Sequence, residues 1–259
     1  MKKRLLVMTP ISHINGLEKL LNKYFKLDII ENPSKNQIFK IIHNYEIIFT
    51  NPNMSKVFLS KKLLEKANKL KIICTASTGT NHIDMVFSKS KKIKILSLRS
   101  NKKIINKISS TAEHALALIM SKIRNVNEAA LSVKKGNWDY RPFIGRQMNN
   151  LNVGIIGYGR LGKMLTRYLS PLVRKIFIYE KNFKIKNLNK KILKVLLKKL
   201  LTISDVISLH IHADQKNINF INKKKLLLMK KDILIVNTSR GEIIDELDLV
   251  NFLKKNKGA

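Results

Sequence analysis

Acidic residues are scarce in this chain: 17 Asp and Glu stand against 51 Lys and Arg in 259 residues, a formal net charge of +34. A surplus of that size, taken alone, points to nucleic acid or an anionic membrane surface as partner. Two further shortages narrow that reading. Aromatic residues make up only 7% of the chain and are not interleaved with the basic runs in the way that stacks single strands. No apolar stretch approaches the roughly 20 residues needed to span a bilayer. The lysines are spread over the whole length, with a parallel excess of Ile and Asn, which is the pattern AT-rich codons produce. Runs such as Lys61-Lys62, Lys91-Lys92, Lys198-Lys199 and Lys223-Lys224-Lys225 fall on polar faces or turns. The expectation is therefore a solvated basic surface, with neither membrane nor nucleic acid as partner.

Cysteine is almost missing. Cys74 alone excludes an internal disulfide and gives no sign of an oxidising compartment, so a cytoplasmic location is expected. Met1-Lys2-Lys3-Arg4 followed by Leu5–Met8 begins like a signal peptide, but Thr9-Pro10 ends the apolar stretch after four residues. A secretory core needs roughly 7–15, and the segment reads better as a first buried strand.

What is present is an alternation of short apolar runs with amphipathic segments, backed by 44% hydrophobic residues. Strands are expected at Arg4–Met8, Leu27–Ile30, Glu46–Thr50, Ile72–Thr75 and Ile93–Ser97, with helices at Ile14–Phe25, Asn36–Asn44 and Ser60–Asn68. That pattern describes a small α/β domain with a mostly parallel sheet. A polar stretch, Ser100–Ile108, precedes Ser110-Thr111-Ala112-Glu113, which reads as a capping box opening a helix through Ile123. The domain boundary is placed near Asn101, giving domains at residues 1–100 and 101–259.

The second part repeats the alternation. Asn152–Ile156 is a near-continuous apolar run, suited to a strand buried on both faces. It is followed by helix Leu161–Leu169, strand Lys175–Glu180, helix Lys190–Leu200, strand Asp205–His210, helix Lys223–Met229, strand Ile233–Asn237 and helix Asp245–Lys254. The fold class is α/β, and this half is a doubly wound sheet.

Between the buried run and its helix lies Gly157-Tyr158-Gly159-Arg160-Leu161-Gly162. The GxGxxG spacing is weak in isolation and much stronger between a strand and a helix. The three glycines serve different ends. Gly157 makes the tight turn, Gly159 lets the backbone approach a pyrophosphate, and Gly162 lets helix pack on strand. Backbone amides near Arg160 and Leu161 then face the phosphates at the positive end of the helix. Glu180 stands eighteen positions beyond Gly162, close to the ~20 expected for the acid on the adenosine ribose. A carboxylate there repels a 2′-phosphate and favours NAD over NADP. Lys181 next door weakens that preference without reversing it.

With the nucleotide domain second in the chain, four stretches together resemble the D-isomer-specific 2-hydroxyacid dehydrogenases, a family that includes D-3-phosphoglycerate dehydrogenases. They are Ser77–Asp84, Ser110–His114, Leu151–Gly162 and Asn237-Thr238-Ser239-Arg240-Gly241, and their order and separation match across nearly the whole chain. The resemblance implies a flavodoxin-like substrate domain ahead of a Rossmann domain, NAD as cofactor, a small 2-hydroxy or 2-oxo acid as substrate, and, for the complete chain, a homodimer through the boundary helix and its neighbourhood, with interdomain packing of the same apolar stripe as the alternative. It assigns backbone N–H groups of Ser77, Thr78 and Gly79 to the substrate carboxylate. Arg240 is assigned to the carboxylate and carbonyl, with a contact to the cofactor. Family contacts to NAD map also onto His210, His212 and Thr238, and many relatives carry proline where His212 stands. Without the resemblance, Thr78-Gly79 is only a turn, and a structural Arg240 paired with a nearby acid stays open.

The resemblance also calls for a Glu and a His beyond Arg240, to exchange the hydroxyl proton. Only nineteen residues follow, Gly258 reads as a helix-ending glycine, and Ala259 as the start of a strand. The expectation is a C-terminally truncated chain. His13, His43, His82 and His114 are assigned no catalytic role. Thr75 stands where many phosphoglycerate-specific relatives have arginine, so the substrate is expected to be a general small D-2-hydroxy acid. The competing expectation is an NAD(H)-binding sensor or interaction protein without the proton relay.

Overall fold

A computed structural model of the chain describes residues 2–52, 57–181, 189–256 and 258–259. The chain divides into two compact units, Met1–Lys107 and Ile108–Ala259.

The first unit contains β1 (Arg4–Val7), α1 (Leu17–Tyr24), β2 (Lys26–Ile29), α2 (Lys35–Ile41), β3 (Ile47–Thr50), α3 (Lys61–Glu65), β4 (Ile72–Thr75), α4 (Met85–Ser90), β5 (Lys94–Ser97) and α5 (Lys102–Ile105). The strands form one parallel sheet in the order β2-β1-β3-β4-β5, the flavodoxin-like order. Alternation along each strand sends side chains to opposite faces. Leu6, Ile48 and Ile73 join one core with Ile38, Leu63 and Leu64 of α2 and α3. Leu5, Val7 and Ile47 join another, against Leu17 and Leu21 of α1.

The second unit contains α6 (Ser110–Ile123), α7 (Val126–Lys134), β6 (Asn152–Ile156), α8 (Arg160–Leu169), β7 (Lys175–Tyr179), β8 (Ile192–Lys194), α9 (Leu197–Ile203), β9 (Val206–Leu209), α10 (Lys223–Leu226), β10 (Leu234–Asn237) and α11 (Glu246–Lys255). Its parallel sheet runs β10-β9-β6-β7-β8. Taken in order of appearance, the five strands stand 5-4-1-2-3, which is the Rossmann order read from its other edge. Val153 and Ile155 of β6 face α6 and α8, whereas Ile156 faces α9, α10 and α11. The strand order reverses between β6 and β9, and ligands of open α/β sheets bind beyond the strand ends at that point.

Several local expectations change. The helix expected over Lys190–Leu200 is instead β8 followed by α9. Ile176, Phe177 and Ile178 of β7 offer a free parallel edge, and Ile192, Leu193 and Lys194 pair with it. Tertiary pairing overrides a lysine-rich run without a firm period, and the lysines suit an edge strand. The capping box at Ser110 is absent: Ser109 is the N-cap, with no side-chain cap, and Ser110 is already helical. Helix α4 was not expected, although Asp84 caps it by accepting from the Phe87 N–H at 2.9 Å. Helix α7 was missed because it buries no residue, so its apolar positions follow no core-facing stripe. Helix α11 closes at Asn256, and a turn at Gly258 brings the Ala259 N–H to the Asn256 carbonyl at 3.0 Å.

Candidate functional site

At the C-terminal end of β6 the chain makes a turn that only glycines permit. Gly157 has φ +95°, and a Cβ there would lie 2.6 Å from the carbonyl oxygen of His210. That crowding is the close approach of β6 and β9 at the strand reversal, where the His210 N–H donates to the Ile156 carbonyl at 2.7 Å. A Cβ on Gly162 would lie 2.1 Å from the Gly157 carbonyl oxygen, so the first turn of α8 rests directly on the turn. Gly159 is different: it is the N-cap of α8, and a Cβ there would meet nothing within 4 Å. The space beside Gly159, at the positive end of a ten-residue helix, is of the kind a pyrophosphate occupies.

The acid expected at the end of β7 is in place. Glu180 accepts from the Tyr158 N–H through Oε2 at 2.9 Å, which fixes its carboxylate against the glycine turn. Arg160 does not face outward. Its guanidinium donates to the Ile108 carbonyl and contacts Met164 Sδ at 3.9 Å, so it ties α8 to the entry of the unit. Leu161 packs against the core beneath.

His210 follows β9. Burial pushes its imidazole down to about 4 from 6.5, so the ring is neutral at pH 7, and Nε2 lies 2.9 Å from Ser208 Oγ. Ser208, fully buried, is a partner that the sequence reading missed; the two-residue period of a strand places it on the same face. His212 is exposed, and its carbonyl accepts from Asn217 Nδ2 at 2.9 Å and the Asp214 N–H at 3.1 Å.

Beyond β10, Asn237 builds the turn that presents Arg240: Oδ1 accepts from the Ser239 N–H at 3.0 Å and Nδ2 donates to the Arg240 carbonyl at 2.7 Å. Ser239 Oγ donates to the Leu209 carbonyl at 2.8 Å, joining the ends of β10 and β9. The half-buried Arg240 donates from Nη1 to the Ser239 carbonyl at 2.7 Å. Among the described residues no carboxylate pairs with it. Thr238 Oγ1 is buried and has no hydrogen-bond partner among the described residues. Such an orphan in a strand-end turn is a group waiting for a ligand or water.

In the first unit, Ser77, Thr78 and Gly79 follow β4. Ser77 Oγ donates to the Gly79 carbonyl at 2.7 Å and lies 2.9 Å from Thr75 Oγ1, while the Leu98 N–H donates to the Ser77 carbonyl at 3.0 Å. The N–H groups of Ser77, Thr78 and Gly79 have no acceptor among the described residues. A loop held rigid through its hydroxyls and carbonyls, with its amides uncommitted, suits a carboxylate. The structure thus brings Gly157–Gly162, Glu180, His210, Thr238 and Arg240 to one sheet edge of the second unit, and sets Ser77–Gly79 on a sheet edge of the first.

Residues 116–259 match the family described as D-isomer specific 2-hydroxyacid dehydrogenase, NAD binding domain. The chain is 27% identical over 257 residues, 99% of its length and 47% of the relative's, to the D-3-phosphoglycerate dehydrogenase of Archaeoglobus fulgidus. It is 29% identical over 227 residues to the hydroxypyruvate reductase of Thermotoga maritima, covering 88% of this chain and 71% of that one. Among solved structures, D-lactate dehydrogenase of Aquifex aeolicus complexed with NAD and lactic acid aligns with TM-score 0.80 and 28% identity, over 98% of this chain and 74% of that one. The chain spans about half the length of the D-3-phosphoglycerate dehydrogenases it matches.

Two glycines of the turn are separable by experiment. Gly162→Ala forces a methyl into the Gly157 carbonyl and is expected to destabilise the fold by about 1–3 kcal/mol, whereas Gly159→Ala should cost under about 0.5 kcal/mol. In dinucleotide titrations Gly159→Ala nevertheless weakens binding by about tenfold or more. The buried neutral His210 gives a pH signature. The unfolded state takes a proton below about 6.5 and the folded state only near 4, so this contribution is full above 6.5 and is lost as pH falls toward 4. Urea melts of His210→Gln against the unaltered chain should converge across that window; a difference constant with pH contradicts the assignment.

Proposed function

The chain belongs to the D-isomer specific 2-hydroxyacid dehydrogenases through its NAD-binding domain, and on that premise we propose that it interconverts a small D-2-hydroxy acid and the matching 2-oxo acid. The observation that carries this reading is Arg240: a guanidinium without a carboxylate partner among the described residues, presented by a side-chain-clamped turn on the sheet edge that also holds the glycine turn.

The residues fit NAD. The open backbone at Gly159 and the amides of Arg160 and Leu161 take the pyrophosphate, Glu180 takes the adenosine ribose, and the unpartnered Thr238 hydroxyl, His210 and His212 contact the remainder. When bound, NAD supplies or accepts the hydride at C2 of the acid. Arg240 holds the acid through carboxylate and carbonyl. Its fixed charge favours the negative charge that builds on the carbonyl oxygen as the bond is reduced. The uncommitted amides of Ser77, Thr78 and Gly79 bind a carboxylate without adding a mobile charge. Thr75 is buried at 4% exposure and bonded to Ser77. It brings no cation to that loop, which favours a substrate whose far end is uncharged, as in lactate or glyoxylate, over a phosphorylated one.

We assign the exposed apolar side chains after α6 to a homodimer contact. Val126, Leu131 and Val133 of α7 are followed by Trp138 at 92% exposure, Tyr140 and Ile144, an apolar series of the kind that marks an interface. Sedimentation is expected to give twice the chain mass, reduced to the single-chain mass by Trp138→Asp with Ile144→Asp; a monomeric unaltered chain contradicts the assignment.

Activity is tested by following NADH at 340 nm with glyoxylate, pyruvate and hydroxypyruvate, and the reverse reaction with D- and L-lactate. Turnover of the D-isomer alone is expected, and Arg240→Met lowers kcat/KM by about 10²–10³-fold. NADH binding without turnover of any of these acids would overturn the dehydrogenase reading in favour of a dinucleotide sensor.

A further inference from the structure

Two lysines converge beside the acid that ends β7. Lys181 follows Glu180 in sequence, and Lys225 lies on α10. Their ammonium nitrogens sit over one ring: Lys225 Nζ is 4.7 Å and Lys181 Nζ is 5.9 Å from the Phe220 centroid. That ring is buried at 9% exposure and stacks on Tyr179, the last residue of β7, with centroids 6.5 Å apart and planes at 28°. Burial pushes the Lys225 ammonium below its usual range, and the charge of Lys181 pushes it in the same direction. Among the described residues neither lysine pairs with a carboxylate. Two like charges gathered around one aromatic ring, with no carboxylate partner among the described residues, repel each other, and an anion bound by both relieves that repulsion.

Their place says which anion. In this fold the residue ending the second strand meets the adenosine ribose: an acid takes the 2′-hydroxyl and a nearby cation takes a 2′-phosphate. Here both are present. The Glu180 carboxylate is drawn toward the glycine turn by the Tyr158 N–H at 2.9 Å, while the lysine pair flanks the same strand end from Phe220. The three side chains sum to one positive charge, against the single negative charge that a lone acid presents.

We propose that Lys181 and Lys225 bind a phosphate on the 2′-oxygen of the adenosine ribose, so that the site takes NADP as well as NAD. This rests on the dinucleotide reading of the second unit and offsets the preference for NAD that Glu180 alone would set. Lys225 contributes from a separate element, and its role is invisible in the motif around Gly157.

Calorimetric titration of the full chain with NADH and NADPH, which differ only in that phosphate, tests the inference without turnover. NADPH is expected to bind within about tenfold of NADH. Lys181→Met and Lys225→Met keep the apolar stem on Phe220 and remove the charge. Each should weaken NADPH by about tenfold, the size of a charge-assisted hydrogen bond, with NADH changed by less than about twofold. Lys225→Arg should restore NADPH. Weakening of NADPH by more than about tenfold relative to NADH in the unaltered chain, or equal losses of both ligands in the Met variants, overturns it. Binding of neither ligand instead overturns the dinucleotide reading, and this inference falls with it.

Discussion

The second unit is organised by one close approach, α8 against the turn that leaves β6. The carbonyl and the helix backbone cannot come so near if the helix residue carries a Cβ: at Gly162 the atom would stand 2.1 Å from the Gly157 oxygen. Because they do come near, the N-terminus of α8 lies at the strand end, its unpaired amides open toward Gly159. The same turn lets the Tyr158 N–H reach Glu180 and lets Gly157 sit against the His210 carbonyl. Three strand ends are thereby registered to one another at the turn, by the Gly157 N–H on the Tyr179 carbonyl, the His210 N–H on the Ile156 carbonyl and the Glu180 carboxylate on the Tyr158 N–H.

On that frame the polar groups separate into those that hold the edge and those left for a ligand. Asn237, Ser239 and Ser208 bond within the protein, pinning the turn after β10 and the ring of His210. Arg240 keeps a charge without a carboxylate partner among the described residues, and Thr238 keeps an unsatisfied hydroxyl. A neutral His210 adds no competing charge. The large positive balance of the chain gathers locally at Lys181 and Lys225, where two cations share Phe220 beside Glu180. Elsewhere, as along Lys223 and Lys224 on the exposed side of α10, lysine is a solvated surface.

What could be read from the sequence was what is local. The buried run at β6, the glycines that follow and Glu180 at the end of the next strand are set by neighbours within a few turns of chain, and they stand where spacing put them. Alternating strands and helices announced parallel sheets, while the strand orders 2-1-3-4-5 and 5-4-1-2-3 are those of the flavodoxin-like and Rossmann folds that the family resemblance implied. Errors arose where distant parts decide. The run at Ile192–Lys194 is a strand because β7 offers an edge, not because its own residues ask for one. Ser110 is no cap because the helix begins one residue earlier. The meeting of Lys181 with Lys225 over Phe220 joins residues forty-four positions apart, and nothing in either lysine run announces it. Ser208 was within reach, since it lies two residues from His210 on the same strand.

The central claim is that the turn from Gly157 to Gly162, with Glu180, holds a dinucleotide. Amide resonances of the nitrogen-15-labelled chain, followed while NADH is added, test it most directly. The account predicts saturable shifts largest at Tyr158, Gly159, Arg160 and Leu161, accompanied by Glu180 and Thr238. An unmoved glycine turn, with shifts scattered over the lysine-rich surface, would contradict it.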